Sequence, residues 1–434
     1  MNKRLKLIVG IFWVTTINCY AQIKEFDPLL DSKVTVIPAP SQEEWNSNYM
    51  WYPGQLAAFY QQQSAKISKE RCVNVGYPGK FFAKNNRAYF KREIKLHKEN
   101  NLRWEGPSDI ILYVNGIKQS TTNKQIILPA GKSSLLFEVI TNDSLPCIIL
   151  KGDGLENPNE WQVSMDKNYW TIPESASMYN KPATRPDAPQ NIIAQIKPQE
   201  ILPMRNAKTV GTDGVQIGKN GYALIDFSHL EIGTLTFQAK GKGTVTVRVG
   251  ETPEEALERD DKKLEQYPLP PIRLSETGSV ISIPERALRY ASIECDEGAE
   301  ITSLKFDASM WPVEYQMQFE TDDEYINNLF KMSSATLHTS MHRFYLDGVK
   351  RDFLPWSMDA LVSTLGGDYL FGDQQVSKNG ISIALMPLNP KLSDIGIPDY
   401  PLHALFGLKQ NYLRFGDLTT SLQSVSYTHL RAHE

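Results

Sequence analysis

Asp347-Gly348-Val349-Lys350-Arg351-Asp352-Phe353-Leu354-Pro355-Trp356-Ser357-Met358-Asp359 puts three carboxylates, an Arg, a Lys and a Trp within thirteen residues. Gly348 and Pro355 mark it as irregular backbone, where positioned polar side chains are usually held. Apolar residues recur at helical spacing on both sides. Ahead of it stand Ile326, Leu329, Phe330, Leu337 and Met341, introduced by a capping-box pattern at Thr321-Asp322-Asp323-Glu324. Behind it, Met358, Leu361, Val362, Leu365 and Tyr369 mark a second helix that ends at Gly372-Asp373. A loop rich in Pro, Asn, Asp and Gly follows. Leu402, Leu405, Phe406, Leu408, Tyr412 and Leu413 then mark a third helix, which stops near Gly416. The charged stretch is therefore expected in an interhelical loop.

Upstream of residue 321 the period is two rather than 3.6. Between 22 and 180 the pattern is short strands broken by turns, among them 89–96, 110–114, 126–128, 135–140 and 147–151. Asn115-Gly116 is a strong hairpin signal, and Pro129-Ala130-Gly131-Lys132 is a second tight turn. This reads as an antiparallel β-sandwich. Residues 181–198 carry Pro182, Pro186, Pro189 and Pro198 and read as a semi-rigid linker. A second sandwich is expected over 199–314. Within it 233–239 and 244–249 read as a hairpin around Lys240-Gly241-Lys242-Gly243, and 260–271 as an exposed insertion. No helix pattern follows this Gly/Lys turn, so it is a poor phosphate loop.

At 434 residues, two to four domains are expected. A net charge of −4 and a pI near 6.1 give no basic footprint, so no nucleic-acid partner is expected. The chain has 8 Trp and 19 Tyr, enough for sugar-facing platforms. Trp45, Trp51, Tyr52, Trp161 and Trp170 flank the first strand region, and the plainer reading makes them core or interface. Lys3, Arg4 and Lys6, an apolar run over 7–17 and Asn18-Cys19-Tyr20-Ala21 read as a signal peptide over 1–21, cut before Gln22. A lipoprotein signal acylated at Cys19 is the alternative. Periplasmic or secreted localisation follows, with no membrane span, since no later apolar run is long enough. Cys72, Cys147 and Cys295 match no metal spacing and read as buried thiols, with a Cys72–Cys147 bridge left open. Residues 424–434 break the helical pattern and resemble translated adaptor sequence, so His429 and His433 are not taken as a metal pair. No cofactor and no metal are expected.

Glycoside hydrolysis needs a proton donor on the leaving oxygen and a second carboxylate to activate water or attack carbon. In inverting enzymes the two stand about 6.5–9.5 Å apart. Asp347, Asp352 and Asp359 can supply the donor and two sugar-hydroxyl acceptors. Their proximity raises each other's pKa, which Lys350 and Arg351 oppose wherever they pair. Trp356 offers a face to a sugar ring. The competing reading of the same residues is a solvated, salt-bridged loop.

Tyr345-Leu346-Asp347-Gly348-Val349-Lys350-Arg351-Asp352, followed by Leu354-Pro355-Trp356 and Asp359, resembles the catalytic signature of the α-L-rhamnosidases of glycoside hydrolase family 78. Weaker resemblances accompany it at Met50-Trp51-Tyr52-Pro53-Gly54, at Leu224-Ile225-Asp226-Phe227 through Val249-Gly250-Glu251, and at Ile397-Pro398-Asp399-Tyr400. The resemblance implies a multidomain fold: two antiparallel β-sandwich domains, then the truncated start of an (α/α)6 barrel over 315–423. It implies inverting release of terminal α-L-rhamnose from glycans or plant glycosides. It makes Asp352 the general acid, gives Asp347 and Asp359 to the sugar hydroxyls, puts Trp356 at the site Trp, and leaves Arg351 to orient carboxylates. The sequence departs from the family at Phe353, where Arg is frequent, and at Met358, where Gly is common; either change is expected to alter specificity or mark lost activity. The family's general base is a Glu on a later barrel loop with no counterpart identified here, so the chain as given is expected to hydrolyse little. A carbohydrate-binding protein without catalysis, or a six-hairpin glycosidase for another sugar, are the competing readings.

Overall fold

The computed structural model describes residues 34–37, 47–60, 64, 86–106, 109–120, 123–142, 144–175, 192–385, 399–418, 420 and 421. The signal-peptide reading, Cys19, Trp45, Cys72, the linker prolines up to Pro189 and the 424–434 tail lie outside these residues.

The first region is a sandwich of two five-stranded antiparallel sheets. One runs Gln162–Ser164, Asn86–Leu96, Gly131–Thr141, Asp109–Val114, Ile117–Lys118; the other runs Glu174–Ser175, Met50–Trp51, Cys147–Lys151, Asn100–Glu105, Gln125–Leu128. Asn86–Leu96 pairs with Gly131–Thr141 along its whole length, from Asn86 opposite Thr141 to Leu96 opposite Gly131. Side chains alternate across a strand, so Leu135, Phe137 and Val139 point to one face and are buried together. Trp104 meets Phe137 edge-on at 5.4 Å, and Phe137 meets Trp161 at 5.9 Å. Trp51 and Trp161 are thus core, as the plainer reading had it. Asn115 and Gly116 both have positive φ, 51° and 76°, the backbone an Asn-Gly hairpin turn requires.

The second region departs from expectation. It is one eight-stranded sheet, not two, curled around a single core. The order is Val34–Ile37, Ile192–Ile196, Gly298–Met310, Gly214–Lys242, Ser279–Cys295, Thr244–Gly250, Ile272–Arg273, with Glu200–Val210 paired on Gly214–Lys242 off that path. Gly214–Lys242 is 29 residues long, and its register shifts between Asp226 and Glu231 and again between Gly233 and Leu235. Such irregularities bend a strand, which lets one sheet wrap its own apolar face. Two local expectations fail here. Residues 192–196, at the end of the presumed linker, are a strand of this sheet. Thr244–Gly250 does not pair with the strand before it but with Ser279–Cys295, which lies between them. A tight turn at Gly243 fixes only the direction of the chain; Asp296, accepting from the Thr244 N–H at 2.6 Å and from its hydroxyl at 2.9 Å, ties it to the other neighbour.

Four helices follow: α1 (Glu324–Thr339), α2 (Ser357–Leu370), α3 (Gln374–Leu385) and α4 (Tyr400–Phe415). The cap of α1 is Asp323, whose carboxylate accepts from the Tyr325 and Ile326 N–H groups, rather than Thr321. Helix α3 was not expected; its start lies in what the sequence reads as a loop. Asp373 caps it, accepting from Gln375 N–H at 2.8 Å and Val376 N–H at 3.2 Å. Helix α4 ends at Gly416, in the left-handed conformation that favours glycine after a helix.

The three regions share one buried cluster. Trp51, Leu56 and Tyr60 from the first, Ile232 and Ala287 from the second, and Phe344, Leu346, Phe353 and Ile383 from the helical part pack together. Burial of such side chains is worth about 1.5–3 kcal/mol each. This shared core fixes the loop between α1 and α2 against both β regions. Among the described residues no helix is long and apolar enough to cross a membrane.

Candidate active site

The loop that joins α1 to α2 doubles back on itself. The Asp347 N–H donates to the Leu354 carbonyl, and the Leu354 N–H donates to the Asp347 carboxylate, both at 2.9 Å. This closes the ends of the 347–354 segment and turns its middle outward. Within it Phe353 has φ of +55°, a left-handed conformation a bulky residue rarely adopts. The side chain is buried in the shared core, so packing holds the backbone there.

The loop brings the sequence-predicted residues together. Asp352 accepts from Arg351 Nε at 3.0 Å and from Trp356 Nε1 at 3.2 Å. Its side chain is 17% exposed, whereas Arg351 is 58% exposed. Asp347 is partly buried, and burial pushes its carboxyl up to about 6. The charges of Asp352 and Asp359 add to that rise, while the Leu354 and Gly348 N–H groups oppose it. Asp359 lies in the first turn of α2, where the helix N-terminus favours a carboxylate. Asp347 therefore senses both of the other carboxylates.

Lys350 does not join them. Its ammonium turns away to Glu251 at 3.3 Å, Glu255 at 3.2 Å and Glu265 at 3.5 Å. Those glutamates belong to the short helix Pro253–Leu257 and its flanks, on the second β region. Glu265 comes from the presumed exposed insertion, which is anchored by buried Gln266 bonding the Ala287 N–H and carbonyl. Of the two cations in the 347–359 stretch, Arg351 is the one that pairs with a member of the trio.

The two departures from the family pattern fall away from the carboxylates. Phe353 is core, its ring 6.0 Å from that of His342. Met358 is 44% exposed. Sequence reasoning missed one residue that belongs here. Tyr400, the first residue of α4, meets Trp356 edge-on at 5.9 Å, and burial, with the charge of Asp359, raises its hydroxyl above the usual phenol range. The only sequence signal was the Ile397-Pro398-Asp399-Tyr400 segment, which points to a loop and not to a role.

Residues 88–293 match the family described as "Alpha-rhamnosidase-like, bacteroidetes, N-terminal". That segment is alpha-rhamnosidase-like. It covers most of the sandwich and most of the curled sheet and ends before the charged loop. The alpha-rhamnosidase-like segment still reaches the site, because it contains all three glutamates that hold Lys350. Solved structures similar to this chain include a rhamnosidase from Klebsiella oxytoca with rhamnose bound, at 16% identity and a TM-score of 0.44, covering 54% of this chain and 55% of that one. A rhamnosidase of glycoside hydrolase family 78 from Bacillus sp. GL1 is 13% identical with a TM-score of 0.42, covering 92% of this chain and 47% of that one. An α-L-rhamnosidase from Streptomyces avermitilis complexed with L-rhamnose is 13% identical with a TM-score of 0.35, covering 80% and 41%. The chain spans about half the length of these structures. No curated protein matches it.

Proposed function

We propose that this chain is part of an exported α-L-rhamnosidase-type glycoside hydrolase. Its α1–α2 loop holds the sugar-binding and proton-donating half of the site. The observation that carries the reading is the convergence of Asp347, Asp352 and Asp359 beside Trp356, on a loop locked between two helices and two β regions. A terminal L-rhamnose would lie against the Trp356 face, with Asp347 and Asp359 taking its hydroxyls. Asp352, nearest the rim, would give its proton to the leaving oxygen. In the arrangement seen here Asp352 accepts from Arg351 and Trp356, so approach of a leaving oxygen requires the exposed Arg351 to move aside. The expected reaction is inverting, with the second carboxylate on a later barrel loop. The chain as given is accordingly expected to bind the sugar and hydrolyse little.

The uncovered apolar faces of the helices support an incomplete (α/α)6 barrel. Leu329 and Met332 on α1, Val362 and Tyr369 on α2, and Phe406 and Leu413 on α4 are all exposed. Exposure on this scale marks surfaces made to be packed. A non-catalytic carbohydrate-binding protein, suggested by the β domains and by Phe353, is the alternative reading.

The test is calorimetric titration of the chain with L-rhamnose, L-fucose and L-arabinose, alongside hydrolysis of an aryl α-L-rhamnoside. Binding selective for L-rhamnose, lost in Asp359→Asn, is the expected result. Absence of any preference for L-rhamnose overturns the substrate assignment. In the whole enzyme Asp352→Asn is expected to lower kcat by about 10²–10⁴-fold, and wild-type turnover would exclude Asp352 as the acid.

A further inference from the structure

We propose that the solvent face of the curled sheet carries a second ligand site, for a short neutral saccharide, in the hollow lined by Gln238, Lys240, Ser279, Val280, Glu300 and Thr302. The register of three adjacent strands builds it. Phe237 and Ala239 are buried in the core of the sheet, so alternation turns Gln238 and Lys240 to solvent. Gln238 stands between Val280 on one side and Thr302 on the other, and Lys240 stands opposite Glu300. These five residues therefore share one outer face. Two features make that face concave. Opposite Thr236–Gln238, the stretch from Thr302 to Lys305 carries one extra residue, and Ser303 takes a φ of +55° there. Such a bulge bends its strand and re-aims the side chains beside it. On the other side the turn from Ser275 to Gly278 stands as a wall. It is held by its own bonds: the Gly278 N–H donates to the Ser275 carbonyl at 3.1 Å and the Thr277 N–H to the Ser275 hydroxyl at 3.2 Å. The Gly241 N–H, donating to the same carbonyl at 3.1 Å, ties the turn to the sheet. Gly278 has a φ of +90°, which glycine adopts without strain. The hollow holds about 420 Å³, within the range of roughly 300–1,000 Å³ of small-ligand sites.

The lining states what would fill it. Among the described residues, no hydrogen bond or ion pair engages the side chains of Gln238, Lys240, Ser279, Glu300 or Thr302. Lys240 and Glu300 thus stand opposite each other in register without pairing. The hollow offers an amide, two hydroxyls, one cation and one anion. Its large apolar side chain is Val280, which is 67% exposed. A phosphate would meet the Glu300 charge and a metal cation the Lys240 charge. A flat apolar ring would find no aromatic face in the lining. Sugar hydroxyls both donate and accept, so they match the amide, the hydroxyls, the ammonium and the carboxylate alike, while a C–H face can rest on Val280. The site is separate from the α1–α2 loop. Ile232, on the same strand, belongs to the cluster shared with the helical part, and Gln238 lies six residues farther on, roughly 20 Å along the strand. The proposal therefore does not rest on the reading of that loop.

Calorimetric titration of the full chain with lactose, maltose and cellobiose, and in parallel with inorganic phosphate, tests it. L-Rhamnose is left out so that the result does not depend on the loop. At least one of the three sugars is expected to bind, with its affinity unchanged in Asp359→Asn. The double variant Gln238→Ala/Thr302→Ala is expected to weaken that binding by about 10-fold or more, the worth of two hydrogen bonds. Val280→Arg, which fills the mouth of the hollow, is expected to abolish it. All three substituted positions are on the solvent face, and unchanged melting temperatures check that each variant keeps its fold. Binding that survives both variants, or that Asp359→Asn removes, would lie elsewhere and overturn the proposal. So would the absence of binding by all three sugars, or binding of phosphate in their place.

Discussion

Replacing Asp347 by Asn should stabilise the protein at neutral pH and leave it unchanged near pH 4. Burial, helped by the nearby Asp352 and Asp359 charges, raises the Asp347 carboxyl from the ordinary 3.8 to about 6. The folded state therefore holds this proton more tightly than the unfolded chain does. Between 3.8 and about 6 the folded state carries more protons, and stability falls as pH rises through that window. Above it the loss is complete and constant. At 1.36 kcal/mol per unit the full loss is roughly 3 kcal/mol. Asp347 is only partly buried, and solvent screening cuts this to ~1.5 kcal/mol. An Asn side chain carries no charge, and its oxygen can still accept the 2.9 Å bond from the Leu354 N–H. Denaturant unfolding followed by tryptophan fluorescence, at pH 4 and pH 7.5 for both proteins, reads the difference. The expected outcome is a gain of about 1–2 kcal/mol at pH 7.5 that vanishes at pH 4. An equal effect at the two pH values, or a loss at pH 7.5, would show that burial of the charge is not what the substitution relieves.

Lys350→Met leaves Glu251, Glu255 and Glu265 facing one another around an empty centre. It should cost about 1–3 kcal/mol at neutral pH and less at high salt, checked by unfolding at two ionic strengths. Tyr345 is 1% exposed and its hydroxyl has no hydrogen-bond partner among the described residues, so Tyr345→Phe should be neutral or stabilise by about 1 kcal/mol in a melting experiment. Gly367→Ala should do the reverse, since a Cβ there would lie 1.7 Å from that hydroxyl. A cost of about 1–3 kcal/mol, partly recovered in the double variant with Tyr345→Phe, is expected.

The sandwich was legible because its signals are local. Alternation over 135–140 and the Asn115-Gly116 turn decide both pairing and register within a few residues. The curled sheet was not, because its pairings join distant segments. Val245 pairs with Cys295 rather than with the preceding strand, and no turn signal at Gly243 carries that information. Helix α3 carries a weak sequence signal because its apolar residues cluster toward its C-terminal end and its cap, Asp373, reads equally well as the end of α2. The carboxylate trio was singled out by its resemblance to a family signature; type and spacing alone left a salt-bridged loop as the competing reading. Its environment was not legible: the sequence put Lys350 beside the trio, and the fold turns it toward the second β region.

That diversion of Lys350 has a chemical consequence. Three carboxylates with two cations interleaved would carry a net charge of only −1 if both cations stayed beside them. The fold instead uses Lys350 as a fastening to the alpha-rhamnosidase-like segment and leaves Arg351 alone at the rim, paired with Asp352. The deeper carboxyl, Asp347, keeps the burial and the repulsion and is the one pushed up to about 6. Neighbouring carboxyls in unlike environments are how a site keeps one group protonated and another charged at the same pH. Substitution of Lys350 should therefore be felt at Asp347 and Asp352 even though its ammonium pairs with Glu251, Glu255 and Glu265, because the loop that spaces them is pinned at that residue.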